Sequence, residues 1–70
     1  MEMITITGSS SITAIGYEPN SATLRIQFTT GTSYEYFDVP QYVYDELMSA
    51  GSKGTYANAN IYKVYRQARV

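Results

Sequence analysis

The sequence contains no cysteine, no histidine and no tryptophan, and only two of its 70 residues are proline. Without cysteine there is no disulfide, and without cysteine and histidine almost every zinc site is excluded as well. The same absences remove the Ser-His-Asp and Cys-His machineries and the side chain that most often moves protons near neutral pH. An enzyme is therefore not expected, and no cofactor is implied. Charge is sparse too: 16% of residues are Asp, Glu, Lys or Arg and the net charge is −1, with a pI near 5.1. Nothing in that balance draws the chain toward nucleic acid or an anionic membrane. No apolar run approaches the roughly 20 residues of a membrane span. Met1-Glu2-Met3-Ile4 also lacks the basic start and apolar stretch of a signal peptide. The expectation is a soluble, cytoplasmic chain.

What remains is 44% hydrophobic, which suits a folded globule. Seventy residues make one domain, spanning 1–70, because two cores cannot be built at this size. A chain this short buries only about 60% of the surface it exposes when unfolded. With disulfides and metals excluded, self-association is the remaining staple, so a homo-oligomer is expected.

The charges are segregated. Residues 1–52 carry six acids (Glu2, Glu18, Glu35, Asp38, Asp45 and Glu46) against one base, Arg25, for a net of −5. Residues 53–70 carry Lys53, Lys63, Arg66 and Arg69 and no acid, for a net of +4. Such a basic end can be an anion-binding face, a self-association surface, or a helix terminus whose dipole favours cations.

Periodicity divides the chain into short elements. Met3 to Thr7 has high β-propensity and stops at Gly8-Ser9-Ser10, as a short edge strand would. Ser11 to Tyr17 reads as a strand with Ile12 and Ala14 on one face and Thr13, Ile15 and Tyr17 on the other. After the turn Glu18-Pro19-Asn20-Ser21, Thr23 to Thr29 alternates cleanly, with Leu24, Ile26 and Phe28 inward. Thr30-Gly31 reverses the chain into Thr32 to Phe37, with Tyr34 and Tyr36 on one face. At Val39-Pro40 the period becomes helical: Val39, Val43, Leu47 and Ala50 make one stripe, and Gly51 supplies a left-handed stop. Thr55 is the expected N-cap of a second helix, with Ala57, Ile61, Val64, Tyr65 and Ala68 on one face. The competing reading makes Ile61 to Arg66 a last strand. The fold class is α+β, a small antiparallel sheet of three or four strands followed by two C-terminal helices.

These landmarks form a recognisable series. Ser10, Ile12, Gly16-Tyr17, Leu24-Arg25-Ile26-Gln27-Phe28, Gly31, Tyr34-Glu35-Tyr36 and Val39-Pro40 lead to Val43-Tyr44, Leu47, Ala50, Ser52, Gly54, Tyr56, Asn58, Ile61 and Tyr65. The series resembles the KTSC domain, a small module named for its occurrence at the C-terminus of some lysyl-tRNA synthetases. Where the family tends to carry an aromatic and an arginine, this chain has Ala57 and Tyr62. The resemblance implies a compact α+β domain and no reaction. A chain of 70 residues looks like the phage-type members, and small phage proteins commonly bind and block something of the host.

Gly51-Ser52-Lys53-Gly54-Thr55 invites comparison with a phosphate-binding P-loop, which needs Gly-Lys-Ser/Thr after a strand. Here the stretch follows a helix and the glycine comes after the lysine. What survives is a glycine-flanked loop with a lysine, opening onto a helix N-terminus, which is a generic anion site or simply a flexible connector. Eight of the ten aromatics are tyrosine, more than a small core can bury with every hydroxyl satisfied. Tyr17, Tyr34, Tyr44 and Tyr65 are expected at the core rim, while Tyr42, Tyr56 and Tyr62 are open to a ligand or partner. Asn58 and Asn60 can cap backbone or read the edge of a base. Asp45 and Glu46 point about 100° apart on a helix and make no paired acid/base site.

The functional expectation is a binder that sequesters a small phosphorylated, nucleotide-like ligand. Lys53, Gly54 and Thr55 would hold phosphate, Tyr56 or Tyr62 would stack, Asn58 would contact an edge, and Lys63 and Arg66 would supply further charge. The alternatives are a protein-interaction module that blocks a host protein through a tyrosine-rich face, and an RNA-binding accessory module.

Overall fold

The computed structural model describes residues 1–70. Strands β1 (Met3–Thr5), β2 (Ile12–Glu18), β3 (Thr23–Phe28) and β4 (Ser33–Tyr36) form an antiparallel meander. Two helices follow, α1 (Gln41–Ser49) and α2 (Lys53–Asn60), and a last strand β5 (Gln67–Arg69) returns to pair with β4. The five-stranded sheet has the order β1-β2-β3-β4-β5, so its count exceeds the expected three or four through the strand that comes after the helices. No helix is long and apolar enough to cross a membrane.

The turns follow from their residues. Asn20 N–H donates to Glu18 Oε2 at 3.2 Å, which tightens the β2–β3 connection, and Ala22 closes it at φ 53°. Between β3 and β4, Gly31 adopts φ 89°, a conformation that costs glycine little, and its N–H donates to the Phe28 carbonyl at 2.9 Å.

One face of the sheet is covered by the helices. The core gathers Ile12, Ile15, Leu24, Ile26 and Tyr36 from the sheet with Val39, Val43, Leu47, Ala57 and Ile61 from the helical layer. Simple alternation puts Ile12 and Ile15 on opposite faces, and the structure overturns this. Ile12 pairs with Phe28 and Ala14 with Gln27, leaving Thr13 as an extra residue, a β-bulge. The bulge resets the alternation, so both isoleucines face the helices. On the other face Arg25 and Glu35, direct cross-strand neighbours, form a salt bridge in which Arg25 Nε donates to Glu35 Oε2 at 3.0 Å.

Of the expected stripe, Val39 just ahead of α1 and Val43 and Leu47 within it are buried, Leu47 fully so, while Ala50 is only half-buried. The helix stop differs. Ala50 is an extended C-cap whose N–H donates to the Leu47 carbonyl, and Gly51 has no positive φ. The second helix begins earlier than expected and ends sooner. Ser52, not Thr55, is the N-cap, because its Oγ accepts the Thr55 N–H at 3.3 Å. Beyond Asn60 the run Ile61-Tyr62-Lys63-Val64-Tyr65 is rich in β-branched and aromatic residues that propagate helix poorly. The chain turns there instead, leaving Val64 and Ala68 exposed rather than on a buried helical face, and neither the helix nor the strand expected for 61–66 forms.

Candidate functional site

A pocket of about 450 Å³ lies where the β1–β2 loop meets the start of α2. Its walls are Thr7 to Ser11 on one side and Gly51 to Thr55 on the other, with Ile6 and Asn58 completing the lining. Gly8 turns the loop at φ 82°, and Ser9 Oγ accepts the N–H groups of Ser11 at 3.3 Å and Ile12 at 3.1 Å. That pair of bonds holds the loop against the sheet. On the opposite wall the Ser52 cap and its bond to the Thr55 hydroxyl, 2.9 Å, order the first turn of α2. A methyl group at position 54 would lie 2.7 Å from Ser11 Oγ, so glycine there allows the two walls to approach.

The lining has one hydrophobic residue, Ile6, and one charged residue, Lys53. Most small-molecule pockets are predominantly apolar, whereas this one presents hydroxyls, glycine backbone and one ammonium group. Lys53 is half-buried, and its Nζ donates to the Ala50 carbonyl at 3.2 Å. The N–H groups of Lys53 and Gly54 belong to the first helical turn, where amides have no intrahelical acceptor. Such a set can accept a small polar or anionic group by hydrogen bonding. No three carboxylates gather as a metal site.

Of the eight residues singled out in the sequence, the pocket brings together Lys53, Gly54, Thr55 and Asn58. The other four lie elsewhere. Tyr56 turns toward α1 and donates its hydroxyl to Glu46 Oε1 at 2.6 Å. That bond, with burial and the Glu46 charge, pushes its pKa up to about 12. Tyr62 packs its ring against Tyr36, 5.9 Å between centroids, and edge-on to Phe28 at 5.7 Å. Its hydroxyl is buried without a protein partner, and burial raises its pKa. Lys63 is exposed in the turn after α2. Arg66 stands over the Phe37 ring, 5.4 Å from its centroid, with Asp38 at 3.7 Å.

Asn58 and Asn60 also part company. Asn60 Nδ2 donates to the Tyr56 carbonyl at 3.0 Å, a local backbone contact, while Asn58 lines the pocket. Sequence reasoning misses the hydroxyl wall of Ser9, Ser10 and Ser11, because Gly8-Ser9-Ser10 reads by itself as the end of a strand. A glycine in positive φ followed by three serines is the signal that points to it.

Among the rim tyrosines, Tyr17 stacks on Tyr44 with centroids 4.9 Å apart and donates its hydroxyl to the Val39 carbonyl at 2.6 Å. Tyr34 and Tyr65 also pack against the core from partly exposed positions. Tyr42 is the most exposed large apolar side chain, at 63%.

Comparison with known proteins adds a family. The family model described as the KTSC domain matches residues 8–65. A protein of Tsukamurella paurometabola is 40% identical over 58 residues, covering 83% of this chain and 87% of that protein. A lysine-tRNA ligase of a Nostoc species is 51% identical over 47 residues, 67% of this chain but only 8% of the ligase. The chain thus spans a small fraction of that relative. A crystal structure of a KTSC domain protein from Yersinia pestis superposes with a TM-score of 0.95 at 32% identity, covering 99% of this chain and 96% of the other.

Proposed function

This chain belongs to the KTSC domain family, and on that premise we propose that it is a non-enzymatic binding domain that captures a small phosphorylated ligand, nucleotide-like in class, as a homo-oligomer. The observation that carries the reading is the pocket between the β1–β2 loop and the start of α2, where Lys53 is the one charged group among serine and threonine hydroxyls. A phosphate placed there would meet the first-turn amides, the favourable end of the helix dipole and the Lys53 ammonium. Ser9 to Ser11 would face it from the opposite wall, and Asn58 would contact whatever the phosphate carries. No aromatic residue lines the pocket, so recognition falls on the phosphate more than on a base. In a phage-type member the setting would be the cytoplasm of the host cell.

Calorimetric titration with inorganic phosphate, pyrophosphate and linear and cyclic nucleotides tests this. Heat is expected with at least one phosphorylated ligand, weakening as salt rises and lost in Lys53→Ala. No heat with any of them would reject capture. A second reading would then lead: a protein-interaction module using the exposed Tyr42 beside Tyr56 and Tyr65, because aromatic side chains anchor interfaces.

A further inference from the structure

The sheet is open at both ends, because β1 pairs only with β2 and β5 only with β4. The ladder fixes which backbone groups of β1 are engaged. Ile6 N–H donates to the Thr13 carbonyl at 2.9 Å, and the same register runs on through Thr5↔Ala14, Ile4↔Ile15 and Met3↔Gly16. Antiparallel ladders alternate bonded and non-bonded pairs, so Ile4, two residues from Ile6, also turns its N–H and C=O toward β2. Met3 and Thr5 turn theirs outward, away from the sheet.

Edges of this kind are ordinarily blocked by charge, proline or a bulge. On β5 the Phe37 N–H donates to the Arg66 carbonyl and the Val70 N–H to the Ser33 carbonyl, so the outward-turned positions are Gln67 and the charged Arg69. β1 has none of these blocks: it is Met3-Ile4-Thr5, paired with β2 in unbroken register. At its centre Ile4 lies opposite the buried Ile15, hence on the helix-bearing face, and is left 45% exposed.

That edge complements itself. With two copies of β1 set antiparallel about a two-fold axis at Ile4, Met3 of each falls opposite Thr5 of the other. Each such pair exchanges two N–H···O=C bonds without withdrawing any from β2. Ile4 then faces its own counterpart in a non-bonded pair, where side chains approach closest. Glu2, the only charged side chain in residues 1–17, falls opposite Ile6 of the other copy and away from its own image. A disordered peptide could make these bonds only at the entropic cost of becoming extended, whereas β1 of a second copy is already held so by β2. We propose that two copies of this chain join edge to edge through β1, merging their sheets into one about Ile4. The proposal rests on the homo-oligomer of the reading above and gives it a place. Ile4 and Thr5 line no part of the pocket, so phosphate capture is decided by its own titration.

Sedimentation tests it. The wild type should show a monomer–dimer equilibrium between micromolar and millimolar concentration, since an interface this small associates weakly. Thr5→Pro removes an outward N–H that the ladder within the domain does not use, and proline is tolerated on an edge strand. It should stay monomeric throughout while keeping the wild-type circular dichroism spectrum. Ile4→Lys and Ile4→Glu, each alone, set like charges across the axis and should be monomeric. Their equimolar mixture should form a mixed dimer, the introduced ammonium facing the introduced carboxylate. Should Thr5→Pro not fold, the charge pair decides alone. A dimer that persists in folded Thr5→Pro, or folded charge variants that do not associate when mixed, would overturn the edge and leave self-association to another surface. A wild type monomeric at every concentration would overturn both the edge and the homo-oligomer; if it then bound a separate peptide of residues 1–7, the edge would belong to an extended peptide instead. Growth past the dimer would overturn the proposal in favour of β1 pairing with β5 of the next copy, an arrangement that does not close.

Discussion

Gly54 and Ser11 stand in contact across the pocket, so close that a β-carbon at position 54 would lie 2.7 Å from the Ser11 hydroxyl oxygen. Gly54 is nevertheless in the first turn of α2, where alanine would favour the helix more. Two opposing terms therefore act at one position. Gly54→Ala should gain helix propensity, up to about 1 kcal/mol, and lose it to the contact with Ser11. Removing the obstacle releases the gain, so the Ser11→Ala/Gly54→Ala double variant should be more stable than the sum of the two single changes. Chemical denaturation of all four proteins gives the coupling directly, and simple additivity would mean that the walls do not touch in solution.

Leu47 is fully buried in the middle of the α1 stripe. Leu47→Ala should cost about 2 to 5 kcal/mol. A midpoint lowered by roughly 10 °C or more is expected in a thermal melt. An unchanged midpoint would contradict the packing of α1 on the sheet.

Two tyrosines should respond in opposite directions to loss of their hydroxyls. Tyr17 donates to the Val39 carbonyl at 2.6 Å, so Tyr17→Phe should destabilise by about 0.5 to 1.5 kcal/mol. The Tyr62 hydroxyl is buried with no protein partner, so Tyr62→Phe removes an unsatisfied group and should be neutral or stabilising. Urea titrations of the two variants beside the wild type would expose any reversal of that order.

Alkali should unfold the domain in a defined window. Tyr36 is raised to about 12 chiefly by burial, and Tyr56 to about 12 chiefly by its hydrogen bond to Glu46. The folded state therefore holds these two phenol protons more tightly than the unfolded chain, whose tyrosines titrate near 10. Their stabilising contribution is complete below pH ~10 and is lost as pH climbs toward ~12. Phenolate absorbance should show two late-titrating groups, one of which disappears in Tyr56→Phe while that of Tyr36 remains, and stability measured across the same range should fall with their ionisation.

The elements that rest on local pattern are legible in the sequence. Strict alternation places Leu24 and Ile26 inward, and the 3.6-residue spacing of Val39, Val43 and Leu47 finds the buried face of α1, because each pattern is set by its own element's geometry. What escapes depends on contacts made elsewhere. Thr13 becomes a bulge only through its pairing with β3, and Gln67-Ala68-Arg69, with no β-branched or aromatic residue, becomes a strand because β4 offers an open edge. The site divides in the same way. Lys53 to Thr55 are contiguous and can be found as a loop, whereas Ser9 to Ser11 join them across some 40 residues of chain. The tyrosines expected at the ligand are claimed instead by Glu46 and the core.

The register runs straight across the sheet: Met3 faces Gly16, Gly16 faces Arg25, Arg25 faces Glu35, and Glu35 faces Ala68. Four strand spacings of about 4.8 Å separate the two ends of that row, so the backbone enters and leaves the domain roughly 19 Å apart, on opposite margins. A module with such widely parted ends cannot be spliced into a tight loop of another protein without prising that loop open. It can be hung from a terminus by a single tether with no such strain.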